Sequence, residues 1–159
     1  IDIVKNKDLP VLALNVKTKD FWANITDVGY GVSLQLPILF QALISEQFTK
    51  NKETLLIEQP EVHLHPSLQA RFIETLLSIG KKNQYFIETH SEHIIRKLQI
   101  LIKMKKYDLK PSDITIHYFK RTETKFEITK HNIDEYGRLS PNFPTGFYDN
   151  TYNLVKELL

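Results

Sequence analysis

The sequence contains no cysteine, so it has neither disulfides nor thiolate chemistry, and a reducing cytoplasm is the default compartment. No apolar stretch reaches the length of a membrane-spanning helix, and nothing in the sequence resembles a signal peptide. We therefore expect a cytoplasmic protein that has no membrane partner.

Glycine is also scarce. It occurs only at positions 29, 31, 80, 137 and 146, and the pattern GxxxxGK[ST] is found nowhere. In P-loop enzymes that pattern provides the loop of backbone N–H groups, with its lysine, that holds nucleotide phosphates. These 159 residues therefore contain no phosphate loop.

The remaining composition is that of an ordinary compact domain. Of the 159 residues, 42% are hydrophobic and 25% are charged, and the formal net charge is +2. Such a chain is able to bury a core as one globular unit. A charge this close to zero argues neither for nor against a nucleic-acid partner.

Apolar spacing predicts strands and helices that alternate, which is typical of an α/β protein. In chain order we expect a strand at 11–16, a helix at 33–48 with Pro37 in or near its first turn, a strand ending near Glu58, a helix opened by Pro66 and stopped by Gly80, a strand ending at Thr89, and a helix capped by Ser91. The strand, helix, strand unit should have a right-handed crossover. Alternation at 114–119 and 125–129 predicts a β-hairpin, and 152–159 has the pattern of a terminal helix.

The most informative segment is LLIEQPEVHLHP, residues 55–66, where an apolar run breaks directly into carboxylates, an amide and two histidines. A continuous apolar run suits a strand that is covered on both faces, as in parallel sheets. Such sheets bind ligands at the carboxyl edge. The segment therefore predicts a buried strand that presents chemical groups from its carboxyl end.

This segment resembles the Walker B strand and D-loop of ABC-type ATPase heads, in the variant seen in OLD-like ATPases, where a motif of the type hhhEEPExHLHP is usual. Two further segments follow the same order: TDVGYGVSLQ at 26–35 is similar to the signature loop, and YFIETHS at 85–91 is similar to the H-loop. The segment PNFPTGFYD at 141–149 looks like the WPxGFFD element that ends one branch of these proteins. Together the matches cover most of the chain from about Trp22 onward.

The resemblance implies the C-terminal half of a P-loop NTPase sheet of the ABC type, with flanking helices and a C-terminal β-hairpin. It assigns residues 1–112 to the ATPase core and residues 113–159 to the hairpin and family tail. The half with the phosphate loop lies N-terminal in that family, so we expect this chain to be the C-terminal piece of a longer ATPase. The missing N-terminal half of the same protein is then its first partner.

ATP and Mg²⁺ are the implied cofactors of the full-length protein. By resemblance Glu58 holds Mg²⁺ through water, which needs an ionised oxygen ligand; the alternative is a carboxylate paired with a neighbouring cation. Gln59 stands where the family has its catalytic glutamate, and an amide orients water but does not accept a proton. Hydrolysis should then be slow, or another residue should act as the general base. Glu61 is the nearest candidate, with a structural turn carboxylate as the alternative.

His90 matches the switch histidine, which contacts the γ-phosphate in the family; a histidine satisfied at a strand end is the alternative. Gly29, Gly31 and Ser33 would contact the phosphate bound by a second copy, because these heads form homodimers that sandwich ATP. Glycines permit close backbone approach, and a helix N-terminus favours anions. The resemblance also places His65, in the D-loop segment, among the nucleotide-binding residues.

The implied function is ATP-driven dimerisation and conformational switching, in DNA repair or in defence against phage, with DNA or an effector nuclease as further partners. Gln59 keeps a second hypothesis open: a nucleotide-regulated scaffold with negligible hydrolysis. A third is a zinc hydrolase that uses His63, His65 and His90, because alternate residues of an extended segment project together and imidazole suits zinc. The ATPase resemblance explains the surrounding residues better.

Overall fold

The structure is a computed structural model that describes residues 2–5, 12–17, 19–27, 29–143 and 156–157. Contacts divide the chain into two compact units, Ile1–His90 and Ser91–Leu159. This division differs from the boundary at 112/113, which rests on family resemblance and stays a prediction. Both helices and strands build the chain, so the predicted α/β class is confirmed.

The first unit begins with a three-stranded antiparallel sheet of β1 (Asp2–Lys5), β2 (Leu12–Lys17) and β3 (Trp22–Asn24), in that order. The central strand pairs with both neighbours. Only this central strand is predicted from the sequence, because the outer two are too short to show a clear alternation. A turn of 3-10 helix at Ile25–Asp27 follows the sheet.

Helix α1 (Tyr30–Phe48) begins directly after Gly29, whose φ of 97° suits glycine. The helix starts before the predicted Ser33, so Pro37 lies beyond its first turn, and the prediction for that proline was wrong.

Apolar residues occur all around α1. Ala42 is fully buried, whereas Phe40, Ile44 and Phe48, spaced four residues apart, are exposed by 39%, 49% and 77%. A helix that is apolar on every side is normally covered on more than one face. In the described structure one of those faces stays open.

Strand β4 (Thr54–Glu58), helix α2 (Pro66–Ile79) and strand β5 (Gln84–Glu88) form the predicted strand, helix, strand unit, and the two strands are parallel. Pro66 opens the helix and Gly80 follows its end, as predicted. Helix α2 packs against α1, and its buried side chains are Phe72, Ile73 and Leu76.

A polar cluster ties the C-terminal half of α1 to the segment between α2 and β5. The hydroxyl of Ser45 donates to Asn83 Oδ1 at 2.6 Å, and Asn83 Nδ2 donates to the carbonyl oxygen of Ala42 at 3.2 Å. The hydroxyl of Tyr85 donates to the carbonyl oxygen of Gly80 at 2.8 Å, and burial raises its pKa. Because buried polar groups need partners, this cluster fixes α1 against the start of β5.

The second unit begins with helix α3 (Glu92–Lys103). Ser91 caps it as predicted, because its hydroxyl oxygen accepts the N–H of Ile94 at 3.2 Å. Two short 3-10 turns, Lys106–Asp108 and Pro111–Asp113, follow the helix.

Strands β6 (Ile116–Arg121) and β7 (Phe126–Ile133) form the predicted hairpin, and β8 (Leu139–Ser140) pairs with the end of β7. His131 is fully buried on the inner face of this sheet. Its ring stacks on Phe143, with 4.3 Å between the ring centroids.

Two predictions fall on the C-terminal residues. The WPxGFFD-like element at 141–149 lies outside the described residues from 144 onward, and so does the predicted helix at 152–159 apart from residues 156 and 157. Within the residues that the structure describes, no helix is long and apolar enough to cross a membrane.

Candidate functional site

Two glutamates end the parallel strands at the same level. In the register of β4 and β5, Glu58 lies opposite Glu88. Ile57 is buried whereas Leu56 and Glu58 are exposed, so Glu58 lies on the open face of the pair. The N–H of Gln59 donates to the carbonyl oxygen of Glu88 at 2.8 Å and joins the two strand ends. The carboxyl edge of the pair therefore presents two carboxylates and one amide.

The open face beside these glutamates is apolar. Leu56 and Phe86 lie opposite each other in the register and are exposed by 78% and 56%. The sequence predicts a strand that is covered on both faces, whereas the described residues cover only one. A contiguous exposed apolar surface of this kind marks a place where another element binds.

The turn after β4 has an unusual backbone. Gln59 has a φ of 43° and His63 a φ of 62°, and each left-handed residue costs on the order of 1 kcal/mol. Contacts hold the turn in place: the N–H of Val62 donates to the carbonyl oxygen of Gln59 at 3.1 Å, and Gln35 Nε2 donates to the carbonyl oxygen of Pro60 at 2.7 Å. Backbone strain concentrates at functional sites, where the surrounding structure maintains it.

Glu61 joins the loops that follow the two strands. Its Oε2 accepts the hydroxyl of Thr89 at 2.8 Å, and its Oε1 accepts the N–H of His90 at 2.6 Å. Both carboxylate oxygens thus accept charge-assisted hydrogen bonds. Of the two predictions for Glu61, this geometry favours the turn carboxylate over the borrowed base. The carboxylate sets the position of the histidine loop.

Gly29 and Gly31 differ in what surrounds them. Among the described residues, no atom outside the adjacent residues lies within 4 Å of a Cβ placed on Gly29, whereas a Cβ on Gly31 would collide with the carbonyl oxygen of His63. Gly31 is buried, and its missing side chain lets the first turn of α1 pack on the turn after β4. The hydroxyl of Ser33 donates to the carbonyl oxygen of Tyr30 at 2.8 Å, within the same helix. The predicted contact of Gly29, Gly31 and Ser33 with a partner's phosphate stays a prediction.

The two histidines of the segment 55–66 have separate local partners. His65 caps α2, because its Nδ1 accepts the N–H of Ser67 at 3.3 Å, while the ring of His63 packs edge-on against Tyr30 with 5.2 Å between centroids. Nucleotide binding by His65 stays a prediction. In the part of the chain that the structure describes, no three His, Cys, Asp or Glu side chains are placed to hold a metal ion, so the zinc set with His90 is not assembled.

A cleft of about 430 Å³ opens at this edge of the sheet. Glu58, Gln59 and Glu88 line its polar side, and Leu34 and Ile38 of α1 line its apolar side. The sequence predicts the first two of these residues and misses Glu88. A signal for Glu88 was present, because it ends the strand of YFIETHS just as Glu58 ends that of LLIE, and parallel neighbours in register place their ends side by side.

The amide of Gln35 also lines the cleft. This side chain is only 7% exposed, and its Oε1 has no hydrogen-bond partner among the described residues. His90 does not line the cleft; it is exposed in the adjacent loop that Glu61 holds. The structure therefore brings Glu58 and Gln59 together in the cleft and places His90 beside it.

Two family models match parts of the chain. Residues 2–95 match the family model described as an AAA ATPase domain, and residues 109–158 match a family described as a protein of unknown function, DUF3696. No curated protein and no solved structure matches the chain. The OLD-like branch and the GFFD-like ending stay predictions. The first match spans more than half of the chain and includes every residue of the cleft, and the chain therefore belongs to the AAA ATPase domain family.

Proposed function

We propose that this chain forms the part of an ATP-binding head that carries the acidic strand, the strained turn and the histidine loop. The head binds ATP and Mg²⁺ together with a phosphate loop on another segment of the natural protein, pairs with a second copy around ATP, and switches conformation. The observation that carries this proposal is the Glu61 bridge. It holds the turn after β4 and the loop of His90 together at the carboxyl edge of two parallel strands, where α/β sheets bind ligands.

The donor set at this edge fits Mg²⁺ and a triphosphate. Mg²⁺ takes one or two protein carboxylates and completes its shell with phosphate oxygens and water, and Glu58 offers one carboxylate at the end of β4. Glu58 would hold the ion, which neutralises phosphate charge when bound. Gln59 would orient the attacking water through its amide.

Glu88 has the carboxylate that Gln59 lacks, and a carboxylate can accept a proton whereas an amide does not. Both oxygens of Glu61 already accept hydrogen bonds, whereas Glu88 is an exposed carboxylate that lines the cleft beside Gln59. We assign it the role of general base, which takes the proton of the attacking water.

The uncovered apolar surface supports a partner segment that carries the phosphate loop. The open face at Leu56 and Phe86 and the stripe at Phe40, Ile44 and Phe48 both leave large side chains in water. Strands of parallel sheets are normally covered on both faces. We propose that the N-terminal half of the ATPase head covers the sheet face and brings the phosphate loop to the adjacent cleft.

The direct test measures Mg²⁺-dependent phosphate release by the natural polypeptide or complex that holds this chain. Glu58→Gln and Glu88→Gln should each lower turnover by at least about tenfold, since each removes a charge that acts in the transition state. Glu53→Gln makes the same chemical change just before the start of β4, away from the cleft, and should leave turnover unchanged. Equal turnover in the Glu58→Gln variant and the wild type would refute the assignment of the cleft.

Pairing around ATP is tested at the first turn of α1. Ser33→Glu adds a negative charge where the helix dipole stabilises it but where a partner's phosphate would be repelled. The monomer should stay folded while light scattering shows no pairing with a non-hydrolysable ATP analogue. Gln41→Glu, an exposed change farther along the same helix, should pair like the wild type. Normal pairing by the Ser33→Glu variant would refute the proposed contact between the first turn of α1 and the phosphate bound by a partner.

A nucleotide-regulated scaffold is the second candidate function, and it is favoured by the amide at Gln59 together with the engaged carboxylate of Glu61. It predicts ATP-dependent pairing of the wild type without phosphate release, and no change in pairing for Glu88→Gln. The setting in DNA repair or phage defence, with DNA or an effector nuclease as partner, is part of the proposal by resemblance alone.

A further inference from the structure

The outer face of the β6–β7 hairpin carries aromatic side chains that no described element covers. Alternate residues of a strand share a face, so the register pairs 117 with 130, 119 with 128 and 121 with 126 lie on one side of the hairpin. On that side Phe119, Phe126 and Ile128 are exposed by 66%, 71% and 61%. The opposite side holds the buried His131, so the hairpin has an inner face and an apolar outer face.

The charges on this outer face have a single sign. Its other three side chains are His117, Arg121 and Lys130, all exposed, and it has no acidic residue. The guanidinium carbon of Arg121 lies 5.9 Å from the centroid of the Phe126 ring. Glu127 belongs to the inner side of the register and pairs with Lys125 at 3.0 Å. Flat rings and cations are therefore interleaved over three consecutive register pairs.

We propose that this outer face binds single-stranded nucleic acid, with bases stacked on Phe119 and Phe126 and backbone phosphates near Arg121 and Lys130. Unpaired bases offer flat apolar surfaces at regular intervals between anions, which is the pattern that interleaved rings and cations complement. A base pair within a duplex exposes only its edges, so stacking on Phe favours the single strand. A second copy is disfavoured as occupant because two such faces would oppose like charges.

The test uses fluorescence anisotropy with the whole 159-residue chain and a fluorescein-labelled oligothymidylate of about 20 nucleotides. Phe119→Ala and Phe126→Ala should each weaken binding by about fivefold or more, the usual loss for one base stacked on an aromatic ring. Arg121→Glu should weaken binding and flatten its dependence on salt. Lys120→Glu is the matched control, because it makes the same charge reversal on the adjacent residue, which lies on the opposite face. It should weaken binding much less.

The same measurements with oligouridylate distinguish RNA from DNA, and either one supports the proposal. All the substituted side chains are exposed, so circular dichroism should show an unchanged fold. Four results would each overturn the inference: no binding of either oligonucleotide, equal binding by the Phe126→Ala variant and the wild type, equal losses for Lys120→Glu and Arg121→Glu, or tighter binding to a duplex. Self-association of the chain that Phe126→Ala abolishes would also overturn it, in favour of a contact between copies.

Discussion

Replacing Glu61 by alanine should loosen the loop that carries His90 and lower the free energy of unfolding. The carboxylate accepts the hydroxyl of Thr89 at 2.8 Å and the N–H of His90 at 2.6 Å. Hydrogen bonds to a charged group contribute roughly 1.5–3 kcal/mol each when well shielded. Glu61 is partly exposed, so water screens both bonds and replaces them after the mutation. We therefore expect a net loss of about 2 kcal/mol for the pair.

A double-mutant cycle isolates one of the two bonds. Thr89→Val removes the hydroxyl donor and keeps the branched shape, and it should cost about 1 kcal/mol when Glu61 is present. In the Glu61→Ala background the same change should cost less, which gives a coupling energy on the order of 0.5–1.5 kcal/mol.

Urea unfolding provides the assay, with the emission of Trp22 as the reporter. It is the only tryptophan of the chain and lies in the same compact unit as Glu61. Glu53→Ala removes a carboxylate near the other end of β4 and should change the stability by less than about 0.5 kcal/mol. If the losses in free energy of unfolding caused by Glu61→Ala and Thr89→Val simply add, the hydrogen bond between the two side chains contributes nothing to stability. The reasoning from its geometry would then be wrong.

The same pair of variants separates positioning from proton transfer. If Glu61 positions His90, Thr89→Val should lower ATP turnover of the natural protein or complex in part, although it removes no base. If Glu61 is the base, Thr89→Val should leave turnover nearly intact while Glu61→Ala abolishes it.

Three further outcomes are expected. Gly31→Ala should lower the free energy of unfolding by about 1–3 kcal/mol, because its Cβ meets the backbone of His63, whereas the exposed Gln41→Ala should stay within about 0.5 kcal/mol of the wild type in urea titrations. Tyr85→Phe should lower the free energy of unfolding by about 1 kcal/mol at neutral pH. Burial raises the pKa of Tyr85 above its ordinary value of 10.0, so the stability that the neutral phenol contributes is complete below pH 10.0 and is lost as pH rises through the folded-state pKa. The Tyr85→Phe variant should therefore lose less stability than the wild type at alkaline pH. The 159-residue chain alone should show no sub-micromolar ATP binding by calorimetry, because it contains no phosphate loop, and tight binding would contradict the proposed division of the site.

The elements predicted correctly from the sequence are those whose limits are set within a few residues. Pro66 and Gly80 define α2, and Ser91 caps α3 through the N–H of Ile94. Capping and helix termination need only near neighbours along the chain, so one sequence contains the information. The hairpin of β6 and β7 is predictable for the same reason, because its two strands are adjacent in sequence.

The features that the sequence did not reveal depend on distant residues. The packing of the His63 backbone against Gly31 is visible only in the structure, while the predicted approach of a partner's phosphate to Gly31 stays a prediction. Glu88 was not predicted, because the sequence shows that it ends a strand but does not show the parallel register with β4 that places it in the same cleft as Glu58. The contacts of Glu61 with the loop of His90 could not be predicted from the sequence, because they join residues 28 and 29 positions apart. Each case needs the pairing of segments that periodicity alone does not specify.

Among the apolar surfaces that the described residues leave uncovered, the sheet face at Leu56 and Phe86 and the outer face of the hairpin differ in the charges beside them, which point to different occupants. The face at Leu56 and Phe86 belongs to strands that end in Glu58 and Glu88. An element that covers this face would therefore lie beside the two carboxylates that line the cleft. Carboxylates repel a polyanion, but they hold Mg²⁺, which in turn attracts a triphosphate. The proposed occupant of this face, a protein segment that brings a phosphate loop, is compatible with these charges.

The hairpin face presents the opposite electrostatics. Arg121 and Lys130 stand among its phenylalanines with no acid on the same side, so phosphates are attracted directly and no metal ion is needed. If the exposed rings served only to bury surface against another protein segment, removal of the two cations would affect that contact little, because rim charges contribute little to affinity. Loss of oligonucleotide binding in Arg121→Glu, with the inner-face Lys120→Glu unaffected, would show that the sign of the charge, rather than apolar area alone, selects the occupant.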